Sequence, residues 1–313
     1  MNKVVVTGGA GFIGSHLCQE LIQRGKQLVI MDDLSTGKKE NIETLIGDRV
    51  DFVKGSVTDL PLLNKLFEAI DCVFHLAAIP SVPRSLENPL VSHQTNATGT
   101  LNVLLAAKDK AVRKVVYASS CAVYGEAKAS PVTENVLPSP QSPYAVTKLV
   151  GEYYCQVFQQ VYNLPTVCLR YFNVYGPRQD LSSQYAAVIP KFISRLLEGK
   201  PPIILGDGEQ TRDFIFVQDV VAATILAAQD NITGIFNIGT GKGVTIKELA
   251  QLISDIMGKD IKPIHQERKP GDIRHSVADI SKVRAFGFEP KYRLRQGLEE
   301  TIGGLSGSSS ATR

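Results

Sequence analysis

Apolar residues fall along the first half of this chain in short, β-branched runs, each followed by a stretch with helical spacing. Lys3–Thr7 is apolar and stops at glycines; Gly11–Arg24 repeats its apolar positions at helical intervals and stops near Gly25. Further strands are predicted at Leu28–Met31, Asp51–Val53, Cys72–Leu76, Lys114–Ala118 and Thr166–Arg170. Helices are predicted over Asn96–Lys108, with Leu101, Leu104 and Leu105 on one face, and over Tyr144–Tyr162. Strands that are apolar at nearly every position are buried on both faces. The pattern therefore predicts an α/β fold, a doubly wound parallel sheet of Rossmann type with right-handed crossovers.

Past Gly176 the pattern loosens and proline and glycine become frequent. Short strands (Ile203–Leu205, Phe214–Val217, Ile235–Ile238) intermix with helices at 187–198, 219–228 and 245–257. Residues 1–176 are thus expected to form the sheet domain, and 177–302 mainly a smaller mixed α/β lobe, some of whose segments return to the sheet. The Gly/Ser-rich stretch 303–313 is expected to be a flexible tail.

Composition narrows the function classes. The 313 residues carry a net charge of +3 with scattered basic residues, which argues against nucleic acid. The clusters at 262–274 and 291–295 suit at most a small anionic ligand. Five cysteines, at 18, 72, 121, 155 and 168, form no CxxC, and five histidines show no ligand spacing, so neither disulfides nor a metal is expected. There is no apolar run of transmembrane length, and the first strand leaves no room for a signal peptide; a soluble cytoplasmic protein is expected.

The chemistry begins at Thr7-Gly8-Gly9-Ala10-Gly11-Phe12-Ile13-Gly14, which follows the first strand and opens the first helix. Glycines there let backbone approach a pyrophosphate, and the helix start offers unpaired N–H groups. Gly14 lets the helix lie close to the sheet. Asp32 ends the second strand, 18 positions after Gly14, where a carboxylate accepts from a ribose 2′-hydroxyl and repels a 2′-phosphate; Asp33 could share the task. NAD is expected over NADP.

Tyr144 and Lys148 stand four apart on a predicted helix and so share a face. A tyrosine of ordinary pKa, about 10, is a poor base; a nearby ammonium and a cationic nicotinamide favour the phenolate. Ala118-Ser119-Ser120 ends the fifth strand, where ligands of such sheets bind, and a hydroxyl there can share the substrate proton. Ser120 is the better candidate for this; Ser119 suits a strand-end turn as well.

Together these motifs resemble the extended short-chain dehydrogenase/reductase family, specifically its nucleotide-sugar 4-epimerases. The likeness spans roughly residues 3–302 through TGGAGFIGSHL, FHLAA (74–78), NATGTLNVL (96–104), ASSCAVYG (118–125), SPYAVTK (142–148), RYFNVYGPRQ (170–179), RDFIFVQD (212–219) and KPGDIRHSVAD (269–279). It implies an isomerase that holds NAD tightly, takes a UDP-sugar under the smaller lobe, and forms a homodimer through the 96–108 and 144–162 helices. It implies Ser120, Tyr144 and Lys148 as catalytic residues. Around NAD it implies Gly8, Gly11, Phe12, Ile13 and Gly14, then Asp32, Asp33, Leu34, Ser35, Thr36 and Gly37. Ser56, Val57, Leu76, Ala77, Ala78, Asn96, Ala118, Ser119, Tyr171 and Val174 complete that set. For the substrate it implies Ser81, Val82, Arg84, Asn173, Ala187, Val188, Lys191, Leu205, Arg212, Lys269, Asp272 and Ser276.

Departures refine the likeness. Sugar-nucleotide dehydratases carry an Asp-Glu pair after the strand-end hydroxyl, and related decarboxylases a glutamate; here Cys121 and Ala122 stand there, which leaves simple oxidation and reduction. The 77–85 loop, Gln179-Asp180 and 185–191 resemble UDP-N-acetylglucosamine 4-epimerases. Ser276 stands where epimerases of unacetylated sugars carry a bulky aromatic, leaving room for an acetamido group. Ser56-Val57 replaces an acidic residue used on adenine, and Lys269 replaces an arginine, losing a bidentate fork. Arg212 remains the better clamp for the diphosphate, and Asp272 is a candidate for the uridine ribose. The rival readings are an epimerase restricted to UDP-glucose/UDP-galactose, a 4-keto-sugar reductase and a non-catalytic dinucleotide sensor.

Overall fold

A computed structural model of the chain describes residues 1–127, 129–181, 187–268 and 273–308. Seven strands build one sheet: β1 (Lys3–Thr7), β2 (Gln27–Asp32), β3 (Val50–Lys54), β4 (Cys72–His75), β5 (Lys114–Ser120), β6 (Thr166–Tyr171) and β7 (Gly234–Ile238). Their order is β7-β6-β5-β4-β1-β2-β3 and every pairing is parallel. The fold is a Rossmann-like doubly wound α/β sheet, as the strand pattern predicts.

Side-chain alternation makes two cores from the same strands. Val4, Val6 and Ile30 pack to one side with Leu17 and Leu21 of the Phe12–Gln23 helix and Val220 of the Val217–Ala227 helix. Val5, Val29 and Val115 face the other way, onto Leu63, Val103, Leu104 and Phe158 from three further helices. Burial on both faces is why these strands read as unbroken apolar runs. The chain reverses direction across the sheet between β1 and β4, and the crevice outside their carboxyl ends is where such sheets hold ligands.

Over those ends lie short strand pairs: Asn173–Tyr175 with Phe214–Phe216, Thr211–Arg212 with His275–Ser276 and Val244–Thr245, and Ile203–Leu205 with Ile264–Gln266. They share a core with the Val188–Leu197 and Ile246–Ile256 helices, built on Phe192, Ile204, Phe216, Leu249 and Ile253.

Three expectations change. The strand read at Ile235–Ile238 belongs to the large sheet as β7, where Phe236 pairs in register with Leu169. Neighbours in sequence had suggested the smaller lobe; only the pairing partner decides. Residues 303–308 of the expected tail belong to a helix, Leu294–Ser308, because Leu298, Ile302 and Leu305 recur at helical spacing and pack on the lobe core; 309–313 lie outside the described residues. The helix predicted from Asn96 is regular over Gly99–Asp109 and is preceded by a widened, π-type turn at Gln94–Thr98. That turn points Asn96 into the interior.

Candidate active site

A cleft of about 700 Å³ runs along the carboxyl ends of the sheet, from the glycine loop to Tyr144 and Lys148. Its size is that of a site for a cofactor-sized molecule. Gly8, Gly11, Phe12, Ile13 and Gly14 line one end. Gly8 has φ +72°, and a Cβ there would lie 2.6 Å from the Ala77 amide; a Cβ on Gly14 would lie 2.8 Å from Gly9 Cα. Any side chain at either position would displace backbone of the cradle. The helix that starts at Phe12 has no side-chain cap, so its first amides stay available to an anion at the cleft.

Asp32 stands at the end of β2 with one oxygen accepting from the Leu34 amide (2.8 Å) and the other from the Ala10 amide (3.0 Å). Each oxygen keeps a lone pair for a ribose hydroxyl. Burial raises the Asp32 carboxyl above its ordinary range, against the pull of those two amides. Asp33, Leu34, Ser35, Thr36 and Gly37 curve round the same end, and a Cβ on Gly37 would meet the Asp32 carboxylate at 2.8 Å. These features fit a dinucleotide: a cradle that tolerates no side chain, free helix amides, and a carboxylate with acceptor capacity left.

Val57, Leu76, Ala77, Ala78, Ala118, Ser119, Tyr171 and Val174 also line the cleft, as do Ser81, Arg84 and Ala187 from the substrate set. Others do not. Asn96 is buried, with its amide spent on Ile79 (2.8 Å to the amide, 3.3 Å to the carbonyl) and on the Thr147 hydroxyl (3.1 Å). It holds the loop after β4 rather than facing a ligand. Ser56 closes a local turn with Thr58 (2.9 Å). Val82, Ser120, Asn173, Val188, Lys191, Leu205, Arg212 and Ser276 are not among the residues that border the cleft, and Lys269 and Asp272 lie outside the described residues. Met31, Lys38, Asn41, Gly55, Thr95 and Arg178 border it without having been expected. Asn41 donates to the Ala10 carbonyl (2.9 Å) and so pins the glycine loop from an irregular segment with no periodicity to betray it. Arg178 sits inside the RYFNVYGPRQ motif, which was its only signal.

The helix that carries Tyr144 and Lys148, Pro143–Tyr162, starts sharply: the Ser142 hydroxyl accepts from the Ala145 amide (3.2 Å) and proline fills the first position. Gly151 lets it close onto Tyr117 of β5. This puts the Tyr144 phenol beside Ser120, whose oxygen accepts from the Ala122 amide (3.2 Å). Lys148 Nζ donates to the Ala118 carbonyl (2.7 Å) and lies 6.0 Å from the Tyr144 ring centre. Burial pushes Tyr144 up to about 12, opposed by Ser120, and pushes Lys148 down to about 8. Ser119 turns inward and donates to Glu152 (2.5 Å).

Cys121, next to Ser120, lies near Ser276 and feels the charge of Arg212; burial pushes its thiol up to about 11. Residues 155 positions apart thus meet beside Tyr144, and Arg212 and Ser276 share a strand pairing. All five cysteines are free thiols. Among the described residues no group of His, Cys, Asp or Glu is placed to hold a metal, and no helix is long and apolar enough to cross a membrane.

Residues 4–239 match the model of the NAD dependent epimerase/dehydratase family. The chain belongs to that family, and NAD is its cofactor. A putative UDP-glucose 4-epimerase of Methanocaldococcus jannaschii is 39% identical over 96% of this chain and 97% of its own. A UDP-N-acetylglucosamine 4-epimerase from Methanobrevibacter ruminantium, solved with UDP-N-acetylmuramic acid, is 44% identical with a TM-score of 0.95, covering 98% and 99% of the two chains. A UDP-glucuronic acid 4-epimerase from Bacillus cereus, solved with UDP-glucuronic acid and NAD, is 37% identical with a TM-score of 0.91 and the same coverage.

Proposed function

We propose that this chain interconverts UDP-N-acetylglucosamine and UDP-N-acetylgalactosamine by inverting C4, and that it also turns over UDP-glucose and UDP-galactose. That it is an NAD-dependent UDP-sugar 4-epimerase, an isomerase, is common ground with its relatives; the sugar is the proposal. One observation carries it. The Cys121–Ser276 pair puts two small side chains beside Ser120 and Tyr144, where a bulky aromatic would fill the space of a 2-acetamido group. The likeness to an enzyme named for UDP-N-acetylglucosamine supports the same reading.

In this reading Tyr144 removes the proton of the sugar 4-hydroxyl through or beside Ser120 and later returns it, one group working in both directions. NAD held by the glycine loop and Asp32 would supply the hydride acceptor and donor for C4 and a positive charge that favours the phenolate. Cys121 and Ala122 offer no acid or base for elimination, so the reaction ends in inversion. Arg212, and Lys269 and Asp272 beyond the described residues, would anchor the nucleotide diphosphate and ribose while the 4-keto sugar presents its other face.

The test is purified protein given UDP-N-acetylglucosamine, UDP-glucose or UDP-glucuronic acid, with and without added NAD, and product read by NMR. Inversion of the acetylated sugar is expected. Turnover of UDP-glucose or UDP-glucuronic acid with none of the acetylated sugar would overturn the assignment, and stoichiometric loss of NADH absorbance in a second assay supplied with NADH and a 4-keto UDP-sugar would point to a reductase.

A homodimer is proposed on a second observation. Val146, Tyr153, Val157 and Val161 form an exposed stripe on the catalytic helix, continued by Leu86, Leu90 (80% exposed) and Val91 on the neighbouring short helices, Val82–Glu87 and Pro89–His93. Such a patch asks for a partner. The Gly99–Asp109 helix adds no exposed large apolar residue, so the 82–93 segment replaces it in the proposed interface. Light scattering of Val157→Asp should give half the wild-type mass; a monomeric wild type would remove the proposal.

A further inference from the structure

Behind the catalytic pair lies a buried ionic group that the reaction above does not use. We infer that Glu152 is a positioning residue for the catalytic pair: it holds Lys148 protonated and in place from the interior, while Arg170 holds Glu152. The inference rests on the proposed roles of Tyr144 and Lys148.

Tyr144, Lys148 and Glu152 follow one another at intervals of four, so they form a single row along the catalytic helix. The row meets β5 at three successive residues. Tyr144 reaches Ser120, Lys148 reaches the Ala118 carbonyl (2.7 Å), and Glu152 takes the Ser119 hydroxyl (2.5 Å). Lys148, Glu152 and Arg170 are at most 4% exposed. Arg170 of β6 grips the carboxylate with two bonds, 2.9 Å from Nε and 2.6 Å from Nη2. Its guanidinium lies 4.6 Å from the Tyr124 ring centre, the Tyr124 hydroxyl donates to Asn237 (2.6 Å), and the Asn237 amide donates to the carbonyls of Val132 and Asp279. Asp279 closes the segment that begins at Ser276. One connected frame therefore ties the catalytic helix to the strand ends and to the sugar-facing segment.

A buried ion pair is weak evidence for stability on its own account. What gives this one a further role is its neighbour. The titratable groups placed around Lys148 are Tyr144 and Glu152 of its own helix, Tyr117 of β5 and His75 of β4. His75 is buried and neutral near pH 7, since burial pushes it down to about 3. Glu152 is the negative charge in that set, and it opposes the burial that draws Lys148 down to about 8. Without it the ammonium would be lost at lower pH. Activity needs that ammonium, so the alkaline limb of kcat would move to lower pH, and KM would not change.

The experiment is the pH profile of kcat and KM for Glu152→Gln, Glu152→Asp, Lys148→Met and the wild type, with NAD content measured on each. Glu152→Gln keeps the shape and both neighbours; its alkaline limb should fall about one unit lower, with KM within about twofold. Glu152→Asp keeps the charge and should restore the limb even though the Ser119 bond is lost. Should Glu152→Gln leave Arg170 unpaired and unfold the protein, the double variant Glu152→Gln with Arg170→Met removes both charges, and the limb must still shift. An unshifted limb in a folded Glu152→Gln protein, or an Asp variant that behaves like the Gln variant, overturns the inference. A Lys148→Met enzyme that keeps its turnover would instead overturn the catalytic roles on which it rests.

Discussion

On the dinucleotide side of the cleft, the surface is backbone and its shape is set by glycines close together in sequence. On the side proposed to take the sugar it is side chains, brought from segments far apart. Gly8 to Gly14 make a cradle in which an added Cβ meets main chain. Cys121 and Ser276, far apart in sequence, come near each other across the fold. The first surface has no freedom to vary in size, whereas the second changes whenever a single side chain does. A family can thus keep one cofactor and change its sugar, consistent with relatives named for glucose, N-acetylglucosamine and glucuronic acid on one backbone shape.

The contrast can be broken by mutation. The largest effect is expected where the two sides join: Tyr144→Phe should lower kcat on the order of 10³-fold while NAD stays bound, measured by turnover and by cofactor released on denaturation. Near-normal turnover would remove Tyr144 from the chemistry. Next, Gly8→Ala should cost about 1–3 kcal/mol in thermal stability and strip NAD from the purified protein, because φ +72° and the Ala77 amide both oppose a Cβ. Retained NAD with an unchanged melting point would mean that the cradle is not rigid. Ser276→Tyr should leave NAD content alone and lower kcat/KM on the acetylated sugar about 10- to 100-fold relative to UDP-glucose. Equal losses on both sugars would show that Ser276 does not read the acetamido group.

The smallest effect on turnover is a pH dependence of stability, set mainly on the cofactor side. His75, between the Thr7 and Thr100 hydroxyls, and His16, on the Pro177 carbonyl, are buried and pushed down to about 3 and about 4. Each binds a proton in the unfolded chain near pH 6.5 but not in the folded one. Stability is therefore full above that pH and lost as pH falls through it, by up to about 1.4 kcal/mol per unit per histidine. Asp32 and Asp213, whose carboxyls are raised by burial, act in the opposite sense below that window. Urea midpoints between pH 7 and 5 should decline, and His75→Gln should flatten the slope; a flat wild-type profile would contradict it.

Much of this was legible in order along the chain. The glycine loop, Asp32 and the Tyr144–Lys148 spacing are local, since a strand, a turn and a helix fix them within a few residues. Period-two burial on both faces likewise wrote the parallel sheet into apolar runs such as Val4–Val6. The direction in which a side chain turns at a strand end was not legible. Ser119 and Ser120 are adjacent hydroxyls, yet one donates to Glu152 and the other lies beside Tyr144. Asn96 lies in a familiar motif yet spends its amide on Ile79. Strand partnership was equally hidden, as β7 shows.

The sequence alone determined the cofactor, the sheet and the helical row carrying Tyr144 and Lys148, because each follows from spacing along one segment. Tertiary structure decided that Lys148 leans to the Ala118 carbonyl, that Glu152 and Arg170 stand behind it, and that Ser276 comes to Cys121. Those depend on which distant strand lies alongside and which face is buried, and no periodicity in the chain encodes either.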